Sequence, residues 1–456
     1  MGNVEGALAR WVIVNYKDKT DKQIKRGLAI FIGLIGFHLA VSVFLSIIAR
    51  SNFLSSLHNG QGLWNFALDS FVYHQEALRL SDFLKSGDFN GWWGSSPFWH
   101  VKWIALPYAI LVADPLSFAP VNSLIWAVSI YCVYKIAHQL FPDRRRLAIV
   151  TALTFGLWPS YFLHTTQLLK DPFYIMGILL MFWGCVDLLS VRRTISSVFL
   201  LSLGVLIAYL NRTYILEPLI FLSLLAAILE IWQTRGAWGQ AGLAILIIAG
   251  LGVYGYIQRP EIPTQPLSER HGQVKTQFQS QTEVPRSGQN RHWSPIAKIV
   301  DKGVGQISYL RERYIRKYPD AGTNIDTNVH FRSFTDILAY IPKATLVGFL
   351  APFPPHWFED AKTAGRVSRL VAGLEMMAWY MLLVGFLYFL VTGPVDLYIR
   401  IWMLVYTLSL VLLTALVVTN IGALYRMRFI YFLPILIGGL EGWARFYVQR
   451  FQKAAS

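Results

Sequence analysis

Four short stretches hold the residues whose types and spacing could do chemistry. ALDSFVYHQEALRL (67–80) carries Asp69, His74 and Glu76 among aromatic and aliphatic neighbours. On a helix, Asp69, Tyr73 and Glu76 fall at i, i+4 and i+7 and share one face, flanked by Phe66, Ala77 and Leu80. A carboxylate on such a face, half out of water, has a raised pKa and can accept a proton. HTTQLLKDP (164–172) offers His164, Gln167, Lys170 and Asp171. NRTY (211–214) offers Asn211 and Arg212, and NIGALYRMRF (420–429) offers Asn420, Tyr425, Arg426 and Arg428. A Trp-rich stretch, GWWGSSPFWHVKW (91–103), follows the first of these.

The elements that must position them belong to an all-α, polytopic membrane protein. Hydrophobic residues make up 54% of the 456 and charged residues 15%, against about 25% charged in soluble domains. Continuous apolar runs long enough for a bilayer core of roughly 30 Å recur along the chain. They do not alternate in ten-residue pieces, which excludes a barrel. Spans are expected at about 27–48, 118–139, 147–165, 172–190, 195–210, 214–232, 240–257, 367–390, 401–419 and 428–445, ten in all. WIALPYAILVA (103–113) and ILAYIPKATLVGFLAPF (337–353) contain Pro107 and Pro342 and read as interfacial or re-entrant helices.

Charge sets the orientation. The net charge is +15, and no nucleic-acid-binding signature accompanies it. Lys and Arg gather instead in PDRRR (142–146), VRR (191–193), QTRG (233–236), Arg400 and the tail. With ten spans all of these fall on the cytoplasmic side, so both termini are expected inside and the four reactive stretches outside. The N-terminal run is too long, and too far from the start, for a cleavable signal. Cys132 and Cys185 lie in apolar runs and form no disulfide framework. The organisation expected is a cytoplasmic amphipathic segment (1–26), an N-terminal transmembrane module (27–257) with a first outer loop (50–115), an outer loop with an interfacial helix (258–366), and C-terminal transmembrane helices with a cytoplasmic tail (367–456). Within the outer loop, Ser294 and Pro295 start a helix with apolar residues at helical spacing, after a Gln- and Pro-rich loop at about 258–293.

DSFVYHQEALRL after a first span resembles the first outer loop of C-type (GT-C fold) glycosyltransferases, integral membrane enzymes that include the protein O-mannosyltransferase and lipid A aminoarabinose transferase groups. The family's acid, Tyr and Ala correspond to Asp69, Tyr73 and Ala77. LWPSYFLHTTQLLKDPFYIMGILL is similar to the family's next outer loop, with Lys170, Asp171 and Pro172 at the start of the following span. GFLAPFPPHWF and GALYRMRFIYFLPIL are similar to late segments of bacterial members. Many relatives carry two adjacent acids in the first loop, whereas Ser70 follows Asp69 here.

The resemblance implies inverting transfer of a sugar from a polyprenyl-phosphate donor to a lipid, glycan or protein acceptor at the outer face of the plasma membrane. Asp69 would be the general base, with Tyr73, His74, Glu76 and Asp171 in support. Arg426, Arg428, Arg212 and Lys170 would hold the donor phosphate, since a guanidinium fork meets phosphate oxygens bidentately. Trp92 and Trp93 would stack on sugar. No cofactor is implied; a divalent metal is not indicated, although the chemistry admits one. The bland alternatives stay open: Arg426 and Arg428 can anchor a helix end at headgroups, the tryptophans can form an interfacial belt, and Lys170 and Asp171 can be a local pair at a helix start. His164 and Asn211 read as structural, and Glu217 and Glu375 as acids inside or at the ends of spans. A transporter or flippase of lipid-linked sugars, or a polymerase or ligase of surface polysaccharide, are the competing readings.

Overall fold

A computed structural model of the chain describes residues 2–190, 195–234, 239–257, 295–317, 319, 322–358 and 365–455. The VRR cluster, part of QTRG and the loop at 258–293 lie outside the described residues. Seventeen α-helices follow one another: α1 (Gly2–Ile48), α2 (Asp69–Lys85), α3 (Phe89–Gly94), α4 (Trp99–Ile110), α5 (Ala119–Leu140), α6 (Arg145–Gly156), α7 (Pro159–Thr165), α8 (Asp171–Leu189), α9 (Ile195–Asn211), α10 (Leu216–Gln233), α11 (Gly239–Ile257), α12 (Pro295–Lys317), α13 (Phe334–Leu350), α14 (Gly365–Thr392), α15 (Leu397–Val417), α16 (Ile421–Met427) and α17 (Phe429–Ala455). No strand occurs among the described residues. The segment 1–26 and the first span share the single helix α1.

Among the described residues eight helices are long and apolar enough to cross a membrane, and the architecture is that of a multi-pass helical membrane protein. Seven of them match expected spans. The expected span at 147–165 is a bent pair, α6 and α7, with a 60° angle at its break. Pro159 explains the position of the bend: it opens α7, and the residue before a proline avoids helical geometry. The expected spans at 195–210 and 240–257 correspond to shorter apolar helices, α9 and α11. The eighth long candidate is Phe334–Trp357, where the sequence suggests an interfacial or re-entrant piece. α13 meets α15 through Val411, Ala415, Leu416 and Val417, near the end of that helix.

The packing puts polar groups in and apolar groups out. On α1, Leu28, Ile30, Phe37, Phe44 and Ile47 are exposed, whereas His38, Ser42 and Ser46 are buried. His38 bonds Ser123 of α5 and Thr165 of α7, each at 2.9 Å, so hydrogen bonds hold the helix alongside the packing of Phe31, Leu34 and Ile35 on the core. Close approach through glycine does similar work elsewhere. A Cβ at Gly204 of α9 would overlap the backbone of Met181 on α8, and one at Gly442 of α17 would overlap the Gly385 carbonyl of α14. Midway along α17, Glu441 is fully buried and takes Arg144 and Arg445, each at 2.9 Å. Arg144, read from sequence as part of a cytoplasmic charge cluster, therefore also ties the N-terminal half of the chain to the C-terminal half. α12 is fastened by Arg311, which donates to the carbonyls of Val329, Leu416 and Asp326.

Gly442→Ala should force α14 and α17 apart. Overpacking of this kind costs about 1–3 kcal/mol, so a lower melting temperature in detergent is expected, with no change for an alanine at the open position Gly27.

Candidate functional site

The acid of the first stretch opens a helix. Asp69 is the first residue of α2, and Asp171 is the first residue of α8, followed by Pro172. Free backbone N–H groups at a helix start favour a negative charge there. Arg426 lies in the last turn of α16, where a cation is favoured for the complementary reason. Arg212 sits in extended backbone at the corner after α9. Four separate loops thus aim charged side chains at one place.

They meet as a chain of ion pairs. Arg426 Nη2 donates to Asp69 Oδ2 at 2.8 Å, and Arg426 Nε lies 3.4 Å from Asp171 Oδ2. Arg212 Nη2 donates to Asp171 Oδ1 at 2.5 Å and Nη1 to the Tyr214 hydroxyl at 2.7 Å, while its guanidinium stacks over Tyr174. Asp171 and Arg212 are buried, whereas Asp69 keeps about a third of its side chain exposed. Asp69 therefore meets a guanidinium rather than an apolar wall, and its Oδ1 has no hydrogen-bond partner among the described residues. Lys170 precedes Asp171, feels both acids and both arginines, and makes no ion pair within 4 Å among the described residues. Three cations face two carboxylates, which leaves one positive charge in excess.

Burial sets the protonation of the surrounding groups. It pushes the Lys170 ammonium down to about 8, with Arg212 adding to the shift. It pushes the Tyr73 phenol up, reinforced by Asp69 and Asp171. Tyr73 packs edge-on against His100 at 4.4 Å, and that imidazole, wholly buried, is driven down to about 3, so both are neutral at pH 7. Tyr73 thereby forms an uncharged wall beside the two acids.

The other expected site residues go elsewhere. His74 Nδ1 bonds the Tyr108 hydroxyl at 2.8 Å and joins α2 to α4. Glu76 takes Arg79, three residues on, at 2.7 Å, and that bond lowers its pKa. Trp92 and Trp93 lie on α3, which folds back beside Phe83 near the far end of α2. Fourteen residues of helix separate Phe83 from Asp69, a rise of about 21 Å. Trp92 donates to the Lys102 carbonyl, and the Lys102 ammonium sits over Trp93. Trp92 serves the loop's own packing, whereas Trp93 stays more than half exposed beneath Lys102; the loop doubles back where the sequence places all its aromatics simply after Asp69. Arg428 is not part of the ion-pair chain: it is buried, donates to the Ala351 carbonyl and stacks over Trp379 and Tyr425. Ser70, the neighbour of Asp69, is fully buried. The second acid of the cluster is Asp171, from a different loop.

Two small adjoining cavities share Phe429 as a wall. The first is bordered by Tyr161, His164, Thr165, Asp171 and Arg426 and has a volume of about 10 Å³, room for about one water. The second is bordered by Trp158, Ser160, Glu375, Trp379, Tyr425 and Arg428. In it Glu375 accepts from the Ser160 amide at 2.6 Å, from the Ser160 hydroxyl at 2.7 Å, and from the Tyr425 hydroxyl. α16 is thus held on one side by Glu375 through Tyr425, and on the other by Asp69 and Asp171 through Arg426. His164, Tyr161 and Ser160 carried no distinguishing sequence signal beyond their place in or just before the second loop; the bend at Pro159 brings them in. No family model, curated protein or solved structure matches the chain.

Two outcomes follow. Asp171→Asn leaves Arg212 and Arg426 without their shared buried counter-charge, and loss of one partner of such a pair costs about 3–5 kcal/mol; the melting temperature should fall well below that of Asp82→Asn, an exposed control. Second, Lys170 loses its proton as pH rises through about 8. A phosphate monoester, already doubly ionised above its own second pKa of about 6, should bind more weakly at pH 9 than at pH 7. Lys170→Arg should abolish that pH dependence in a titration followed by calorimetry.

Proposed function

We propose that the protein is a glycosyltransferase of the GT-C kind, moving a sugar from a polyprenyl-phosphate donor to a hydroxyl or amine acceptor with inversion, at the outer face of the plasma membrane. One observation carries the reading: Asp69, Asp171, Lys170, Arg212 and Arg426, drawn from four loops, converge in a cluster with one excess positive charge. The resemblance of the first two loops to that family supplies the reaction.

In this reading the acceptor oxygen or nitrogen bonds to the anomeric carbon while the bond from that carbon to the phosphate oxygen breaks. The donor phosphate is a singly charged diester and leaves as a monoester carrying close to two charges. The added charge is what the cations must meet. Lys170 has no carboxylate to give up, so it is the first contact for the phosphate. Arg426 follows by exchanging a carboxylate for phosphate oxygens, which releases Asp69 to take the acceptor's proton. Arg212 stays with Asp171 and steadies it. Apolar surfaces of the spans would hold the polyprenyl tail.

Asp69→Asn should abolish transfer from polyprenyl-phosphate sugar to acceptor in proteoliposomes, with insertion and melting temperature close to those of the parent. Full transfer in that variant would remove Asp69 from the mechanism. The bent pair α6 and α7, with Glu375 bonded to its second half, favours a transporter of the same lipid-linked sugars as a second reading. Movement of labelled lipid-linked sugar across the bilayer without any transfer product would select it.

A further inference from the structure

Asn420, one of the polar residues of the fourth stretch, has no part in the reaction above. It stands in the short link between α15 and α16, just before the helix that carries Arg426. α16 is seven residues long, and a helix of two turns does not hold its own place. The Tyr425 bond to Glu375 holds one face of it. Its start is held from outside. Asn420 Oδ1 accepts from the Ala423 amide at 2.9 Å and caps the helix. An amide N–H only donates, so the Asn420 side chain must turn its NH2 group the other way. There Nδ2 donates to Thr323 Oγ1 at 2.9 Å and to Asn324 Oδ1 at 3.1 Å. The backbones join as well. The Ile421 amide donates to the Thr323 carbonyl at 3.0 Å and the Ile325 amide to the Thr419 carbonyl at 2.8 Å, which makes Asn324 and Asn420 partners in an antiparallel bridge.

The segment across this bridge is itself fixed. Buried Arg311 of α12 ties it to the end of α15, through the carbonyls of Asp326, Val329 and Leu416. Asp326, in left-handed backbone (φ 50°), accepts from the Tyr340 hydroxyl at 2.8 Å and from the Lys343 ammonium at 2.7 Å, both on α13. At the other end of α16 the Tyr314 hydroxyl of α12 lies 3.6 Å from the sulfur of Met427, the neighbour of Arg426. The outer segment from α12 to α13 therefore grips α16 at both ends. Asn420 lies six residues before Arg426, a rise of about 9 Å. A tilt of the helix at its start thus moves the guanidinium relative to Asp69 and Asp171, which it meets at 2.8 Å and 3.4 Å.

We propose that Asn420 is a positioning residue for Arg426: through it the outer segment from α12 to α13 sets where the guanidinium stands between Asp69 and Asp171, and so how tightly the cluster holds a phosphate. The consequence for a lipid phosphate rests on the glycosyltransferase reading; the placement of Arg426 does not.

Two measurements on the full chain separate these. Phenylglyoxal modifies guanidinium groups that are accessible and unpaired, and peptide mass spectrometry follows its reaction at Arg426. Asn420→Ala should speed that reaction severalfold and weaken binding of undecaprenyl phosphate about tenfold, the size of one charge-assisted hydrogen bond. The second variant restores the bridge covalently. Residues paired as Asn324 and Asn420 are have Cα atoms about 4.5 Å apart, within the span of about 4.4–6.8 Å that a disulfide crosses. Oxidised Asn324→Cys/Asn420→Cys should return both values to those of the parent, and reduction should undo the rescue. Gly442→Ala, which loosens a distant helix pair, should leave Arg426 as slow to react as in the parent. Unchanged Arg426 reactivity in Asn420→Ala, no rescue by the disulfide, or equal acceleration in Gly442→Ala would each overturn the positioning role. If Arg426 reactivity follows the bridge but the parent chain binds no undecaprenyl phosphate, the positioning role stands and the glycosyltransferase reading falls.

Discussion

Arg426 stands between two carboxylates that the chain delivers from different loops, and the arrangement of the site follows from that sharing. Asp69 and Asp171 both begin helices that point at the same small volume. Two acids brought so close in a site short of water would repel each other and lose hydration. A single guanidinium reaching both, at 2.8 Å and 3.4 Å, removes the conflict. Arg212 completes the balance from the far side of Asp171. To offer Arg426 there, α16 must be held in place, and the bond from Tyr425 to buried Glu375 does so. The first loop, the start of α8, the corner after α9 and the turn before α17 are therefore tied to one another by electrostatics as well as by apolar contacts, among them Tyr73 and Ala77 in one buried cluster with Leu168, Leu169 and Phe173.

The same charge balance defines what the cluster can accept. Its carboxylates are occupied by its arginines, and the cavity beside Asp171 and Arg426 is about one water in size. A neutral ligand offers the arginines nothing in exchange for a carboxylate. An anionic one does, and Lys170, unpaired among the described residues and only weakly basic for an amine, gives it a first foothold. Ion exchange of this type makes the reactive acid available only when an anion is present, which protects a base from idle proton transfer. That logic suits a donor whose leaving group is a phosphate.

Much of the scaffold was legible from hydropathy, because lipid demands long apolar segments with internally satisfied backbones. Seven expected spans recur as long apolar helices, and an eighth recurs with a bend at Pro159. Periodicity also announced α12, down to its proline at the first helical position. Where reading by composition diverged from the structure, the reason was contact between distant elements. The stretch 337–353, read as interfacial or re-entrant because of Pro342, lies in a helix long and apolar enough to cross a membrane, and its last carbonyls take Trp379 and Tyr380 of α14 and Tyr431 of α17. Trp92 and Trp93 look close to Asp69 in a linear reading, but α3 lies beside Phe83 near the other end of α2, with Trp92 bonded to the Lys102 carbonyl. Arg428 looks equivalent to Arg426 two residues earlier; the passage from α16 into α17 turns it to the other side, against Trp379.

By itself the sequence determined the class of molecule, the positions of most spans and the short list of polar residues able to act, because those depend on residue type and local spacing. Asp69, Lys170, Asp171, Arg212 and Arg426 were all on that list. Their pairing was decided only by the tertiary structure: which arginine meets which acid depends on how four loops, up to 357 residues apart in the chain, are set against one another. Asp171, named from a different loop, shares Arg426 with Asp69. His164, read from sequence as structural, came to border the cavity only when the bend at Pro159 brought α7 against Asp171 and Arg426.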